Sequence, residues 1–176
     1  KVLDKILRLC PKMRLIVVIS GATKNYDPDQ IRLYKRWQSA MASHSLERIQ
    51  CLSHLGYEQF INLIKLGDIL LDTYPFGSCN TALEAVSVGR VGVSCPSKLV
   101  NGRFVSGFYK KMKLTRMLLS SLDEYIDMTV KCYENAVYLR ELERELIGAR
   151  DLLYRDRESV EEWDQSINYA LKRVGK

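Results

Sequence analysis

Short apolar runs alternate with amphipathic stretches along this chain, the pattern left by a parallel sheet with crossover helices. Helical spacing over 2–10 stops at Pro11. The continuous β-branched run Arg14-Leu-Ile-Val-Val-Ile-Ser20 predicts a strand buried on both faces. A loop over 21–27 follows, with Asp27 as N-cap and Pro28 at the first helical position, so a helix is expected over 29–42. The pattern continues with a strand over 48–53, a helix over 57–66 ended by Gly67, and a strand over 68–72. A loop over 73–79 opens a helix over 80–88 that Gly89 closes. A strand over 91–95, a helix over 102–113 and a short strand over 117–119 complete the alternating part. The rest reads as helix, 121–147 with a break and then 159–174. No repeat or flexible linker divides the chain, so the expectation is one α/β domain over 1–176, a Rossmann-like parallel sheet with flanking helices, with 121–176 a mainly helical tail.

Composition narrows this only a little. The hydrophobic share of 47% and charged share of 27% over 176 residues suit one well-cored globular domain. No apolar run approaches the roughly 20 residues of a membrane span. The chain starts at Lys1 rather than Met, so it reads as a fragment whose targeting cannot be judged. Five scattered cysteines without a CxxC pair support neither a zinc site nor a disulfide framework, and favour a reducing, cytoplasmic or nucleocytoplasmic setting. The net charge of +6 invites a nucleic-acid reading, but Arg140, Arg144, Arg150, Arg155 and Arg157 alternate with acidic residues as a solvated helix surface does. Lys110, Lys111 and Lys113 with Arg116 form the one basic cluster without acidic neighbours in sequence.

In open parallel sheets, ligands bind beyond the carboxyl ends of the strands, where loops enter helix N-termini. That rule puts the loop from Thr73 into Thr81 first. Pro75 and Gly77 shape a turn, and Ser78, Cys79, Asn80 and Thr81 start a helix whose free amides and dipole suit a diphosphate. A plain helix cap explains the same residues equally well. Glu84 follows one turn later on the same face, where a carboxylate can accept both hydroxyls of a ribose. The next loop brings Lys98 and Arg103, cations able to stabilise the charge on a departing nucleotide. A third loop holds Leu55, Gly56 and Tyr57, with Phe60 one turn on, as candidates to pack on a base. Asp27-Pro28-Asp29 spells a DxD motif but reads as a cap plus a proline helix start, and His44 and His54 lack ligand partners at metal spacing. No metal site and no cofactor are expected.

The stretch Asp68-Ile-Leu-Leu-Asp-Thr-Tyr-Pro-Phe-Gly-Ser-Cys-Asn-Thr-Ala-Leu-Glu-Ala-Val resembles one family closely when followed by the Gly89 turn, Cys95-Pro96 and Asn101-Gly-Arg103. It is the O-linked N-acetylglucosamine transferase family with its bacterial N-glucosyltransferase relatives, glycosyltransferase family 41. The resemblance implies the C-terminal half of a GT-B fold, the half that holds the UDP-sugar donor. It implies diphosphate binding at Cys79, Asn80 and Thr81, a ribose-binding acid at Glu84, a loop arginine at Arg103, and uracil and ribose contacts along 55–57. The eukaryotic members carry His-Thr-Thr where this chain has Cys79-Asn80-Thr81, and their donor-site lysine and histidine fall at Tyr57 and Phe60. Tyr-Pro-Phe-Gly with Asn80 looks more like the bacterial members.

Further implications of the resemblance are an inverting transfer from UDP-N-acetylglucosamine to Ser or Thr of a protein acceptor, or alternatively from UDP-glucose to Asn. The family's acceptor half and a catalytic lysine would lie upstream of Lys1, so the isolated chain is expected to be inactive without its N-terminal half. Metal, nucleic-acid and membrane partners are not expected. A catalytically degenerate module that binds a partner through the 110–116 segment and the helical tail is the competing reading.

Overall fold

The computed structural model of the chain describes residues 1–19 and 28–174. The expected loop over 21–27, the Asp27 cap and the DxD reading that depends on it lie outside those residues. The chain opens with helix α1 (Val2–Leu9), strand β1 (Leu15–Val18), helix α2 (Pro28–Ala40) and a single helical turn, α3 (Ser43–Leu46). Strand β2 (Ile49–Leu52), helix α4 (Tyr57–Leu66), strand β3 (Leu70–Leu71), helix α5 (Asn80–Ser87) and strand β4 (Gly92–Val93) follow. Helix α6 (Phe104–Lys111) precedes the tail of α7 (Leu122–Glu134), α8 (Ala136–Ala149), α9 (Asp151–Tyr154) and α10 (Arg157–Val174).

Every described ladder is parallel, as the alternation of runs requires, but the strands form two pairs, β1 with β2 and β3 with β4. Leu15 to Val18 face Ile49 to Leu52, while Leu70 and Leu71 face Gly92 and Val93. The first pair departs from expectation: β1 is only partly covered, and Ile16 is 45% exposed rather than buried between two layers. The expected strand over 117–119 is a 3-10 turn, Thr115–Met117, entered through Lys113 at φ 60. Met117 and Leu119 are nevertheless buried, so their hydrophobicity marked packing rather than a ladder. The helix expected over 102–113 splits into a 3-10 turn, Val100–Gly102, and α6.

The core is centred on β4. Val91 and Val93 are fully buried, Val91 among Ala82 and Val86 of α5 and Val105 and Tyr109 of α6, and Val93 among Ile6 and Cys10 at α1 and Tyr125 and Ile126 of α7. The tail belongs to this core, since Cys132, Leu142 and Leu146 join the same cluster. Tyr109 anchors it: its hydroxyl accepts from the Gly92 amide at 3.0 Å and donates to the Gly92 carbonyl at 2.5 Å. The expected break in the tail falls at Asn135, whose side chain accepts from the Tyr138 amide and caps α8. Gly89, at φ +78, turns the chain from α5 into β4, and a Cβ there would lie 2.8 Å from Ile147.

Two cations of the 110–116 cluster, read as free of acidic neighbours, are paired with acids of the folded tail. Lys111 pairs with Asp156 at 2.9 Å and with Glu158 at 3.5 Å. Arg116 bonds to Glu145 and lies 5.3 Å over the Tyr138 ring. These partners are remote in sequence, so the pairing could not be read from local charge.

Candidate functional site

The loops that follow β3 and β4 leave the carboxyl ends of a parallel pair and close on each other through two glycines. A Cβ on Gly102 would sit 2.4 Å from the Pro75 carbonyl oxygen and 2.0 Å from Ser97 Oγ. One on Gly77 would sit 3.1 Å from the Asn101 carbonyl oxygen and 3.4 Å from Gly102 Cα. Gly77 is therefore demanded by close approach of a second loop, not by a left-handed turn. Arg103 directly follows Gly102, so this packing delivers it beside the turn that starts α5. The Tyr74–Pro75 peptide in that turn is cis.

The first turn of α5 is open. Its N-cap residue is Cys79, and no side chain caps the helix. The amides of the first turn are thus left to solvent or ligand, with the positive end of the helix dipole behind them. Asn80 is exposed, while Thr81 and Glu84 are half-buried and Ala82, Ala85 and Val86 are buried. Glu84 lies close enough to Tyr154 to raise its phenol's pKa, in addition to the larger effect of burial, and that phenol donates to the Leu83 carbonyl. Lys98 and Arg103 are exposed, and among the described residues neither side chain forms an ion pair or hydrogen bond.

Ser78 departs from the sequence reading. Its amide donates to Asp72 Oδ1 at 2.7 Å, and its hydroxyl is buried without a partner among the described residues. It belongs to the scaffold of the loop rather than to its ligand-facing rim. Sequence reasoning missed Asp72, which directly follows β3 and is one of the few buried charged residues. Its signal was an acidic residue closing an apolar run immediately before a Pro-Gly loop.

Leu55, Gly56, Tyr57 and Phe60 form the start of α4, which packs beside α5. Gly56 donates its amide to Gln59 Oε1 at 3.1 Å, and no side chain accepts from the first-turn amides of α4, as at α5. Tyr57 is 70% exposed, and Phe60 is half-buried. Beneath the α5 loop lies a cavity of about 10 Å³ lined by Asp72, Ser78, Gly92 and Tyr109 among others. That is room for no more than one water, so a ligand at this site rests on the outer surface of the loops. Burial pushes the phenols of Tyr109 and Tyr125 well above their ordinary range, with the nearby Asp72 charge adding to the shift. Both stay protonated donors at the base of the site. Among the described residues, no group of His, Cys, Asp and Glu could hold a metal ion, and no helix is long and apolar enough to cross a membrane.

No protein-family model matches the chain. Over 95 residues it is 30% identical to a UDP-glucose:protein N-beta-glucosyltransferase of Actinobacillus pleuropneumoniae, a match covering 53% of this chain and 15% of that protein. Over 148 residues it is 27% identical to a probable UDP-N-acetylglucosamine–peptide N-acetylglucosaminyltransferase SPINDLY of Oryza sativa subsp. japonica, covering 82% of this chain and again 15% of the relative. A solved mutant of the Thermobaculum terrenum O-GlcNAc transferase superposes with a TM-score of 0.75 at 24% identity, over 86% of this chain and 28% of that one. The chain therefore spans a small part of each of these proteins, and the structural match shows it to have the fold of a GT-B fragment.

Proposed function

Starting from its homology to glycosyltransferase family 41 over part of its length, we propose that this chain is the donor-binding half of an inverting protein glycosyltransferase and holds a UDP-sugar. The single observation that carries the reading is the uncapped start of α5, held against the Arg103 loop by the Gly102–Pro75 and Gly77–Asn101 approaches. In this reading the amides of Asn80 and Thr81 hold the diphosphate, and Glu84 takes the ribose hydroxyls. Arg103 and Lys98 stabilise the charge on the departing nucleotide. The Leu55–Gly56–Tyr57 turn and Phe60 flank the base. Catalysis needs an acceptor-binding half supplied from outside these residues, so the chain alone binds donor without turnover.

Titrating UDP into the isotope-labelled chain tests this. The amide resonances of Asn80, Thr81 and Arg103 and the side chain of Glu84 should shift at millimolar UDP. Unchanged spectra would refute the proposal. For the sugar and acceptor, we favour N-acetylglucosamine delivered to Ser or Thr; the name of the rice relative, matched over the greater length, states transfer of N-acetylglucosamine to a peptide. The Actinobacillus match, shorter but 30% identical, supports glucose delivered to Asn as the second reading. Competition between UDP-N-acetylglucosamine and UDP-glucose for the chain, read by displacement of UDP, separates the two.

A further inference from the structure

We propose that Asp72 is the positioning residue of the nucleotide loop: a buried carboxylate that ties the loop's two ends together and so fixes where the diphosphate meets α5. Its Oδ1 accepts from the Thr73 amide at 3.0 Å and from the Ser78 amide at 2.7 Å. Its Oδ2 accepts from the Ser94 hydroxyl, at the end of β4, at 2.6 Å. The backbone of the same residue is held from both sides, its amide donating to Val93 at 2.9 Å and its carbonyl accepting from the Tyr125 hydroxyl at 3.1 Å. One side chain thus joins β3, β4 and both ends of the loop, on a residue that is only 8% exposed.

This arrangement has a physical cost that only its geometry explains. A buried carboxylate is unfavourable unless donors surround it, and among the described residues Asp72 has no cationic partner. Its negative charge beneath a diphosphate site opposes the ligand's own charge. It attracts no ligand; its benefit lies in register. By taking the Ser78 amide it leaves the next amides, those of the first turn of α5, as the outward donors. A Cβ on Gly77 would lie 3.1 Å from Asp72 Oδ2 and 3.1 Å from the Asn101 carbonyl oxygen. The carboxylate therefore also sets how closely the Arg103 loop approaches.

The inference rests on the UDP reading of this site, and the experiment separates the two. UDP affinity and melting temperature are measured for the 176-residue chain and for its Asp72→Asn, Asp72→Ala and Ser94→Ala variants, together with hydrogen exchange of the Ser78 amide. Asn keeps an acceptor oxygen for the two loop amides and removes the charge, so Asp72→Asn should bind UDP within about threefold of the parent or more tightly. Asp72→Ala should bind at least about tenfold more weakly and lose Ser78 protection, and Ser94→Ala should fall between them. Parent-like affinity in Asp72→Ala overturns the proposal. So do equal losses in Asp72→Asn and Asp72→Ala with both folded, because the charge rather than the geometry would then matter. If Asp72→Ala does not fold, the comparison of Ser94→Ala with Asp72→Asn decides by the same order. A parent chain that ignores UDP refutes the functional reading alone, and Ser78 exchange in Asp72→Asn against Ser94→Ala still reads the loop tie.

Discussion

The two strand pairs share one topology and differ in almost everything else. The β1–β2 ladder spans four residues on each strand, yet none of those residues is buried. The β3–β4 ladder spans two, yet every residue from Val91 to Cys95 is buried. Covering layers make the difference: α1, α5, α6 and the tail enclose β4, whereas no residue of β1 or β2 is buried, and Arg48, just before β2, ties that pair to α1. That guanidinium donates to the carbonyls of Cys10 at 2.8 Å, Pro11 at 3.1 Å and Leu7 at 2.5 Å, clasping the end of α1. A strand's own hydrophobicity does not decide its burial, and the candidate site formed at the pair with the shorter ladder and the better cover.

Breaking the buried pair should have the largest effect. Tyr109→Phe removes the hydroxyl that serves both polar groups of Gly92, leaving two buried backbone groups unpaired. A loss of roughly 2–4 kcal/mol is expected in urea denaturation. Gly102→Ala tests the loop junction, where the new methyl meets Pro75 and Ser97. Overpacking of this kind should cost roughly 1–3 kcal/mol and, by separating the Arg103 loop from α5, weaken UDP binding more than it lowers the melting temperature. Removing the clasp on the other pair with Arg48→Met should cost about 2 kcal/mol, and hydrogen exchange should speed up in β1 and β2 while β3 and β4 stay protected. Ile16→Ala, at a half-exposed position, should cost less than about 1 kcal/mol. A cost like that of a core deletion there would show that β1 is covered after all and dissolve the contrast.

Much of the fold was legible because local physics wrote it. Pro11 and Gly67 mark helix ends, and the order of runs required parallel strands. The α4 start at Tyr57 and the α5 start at Asn80 fell where the sequence placed them, since a loop entering a helix leaves a signature in residue type. The apolar residues near Met117 misled for a general reason: burial and strand formation share hydrophobicity, and only the presence of a neighbouring strand distinguishes them. Ser78 was read as ligand-facing because residue type does not reveal direction, and a carboxylate six residues earlier had claimed its amide.

What the sequence by itself determined was the alternation of strands and helices and the loop that opens the helix bearing Asn80, Thr81 and Glu84, because periodicity, caps and glycines act over a few residues. The tertiary structure alone decided which strand pair is enclosed, that Lys111 and Arg116 are neutralised by the tail, and that Asp72 knits the loop to Ser94 and Tyr125. The last of these depends on groups 22 and 53 residues away from Asp72 in the chain, brought within hydrogen-bonding reach only when the core closes.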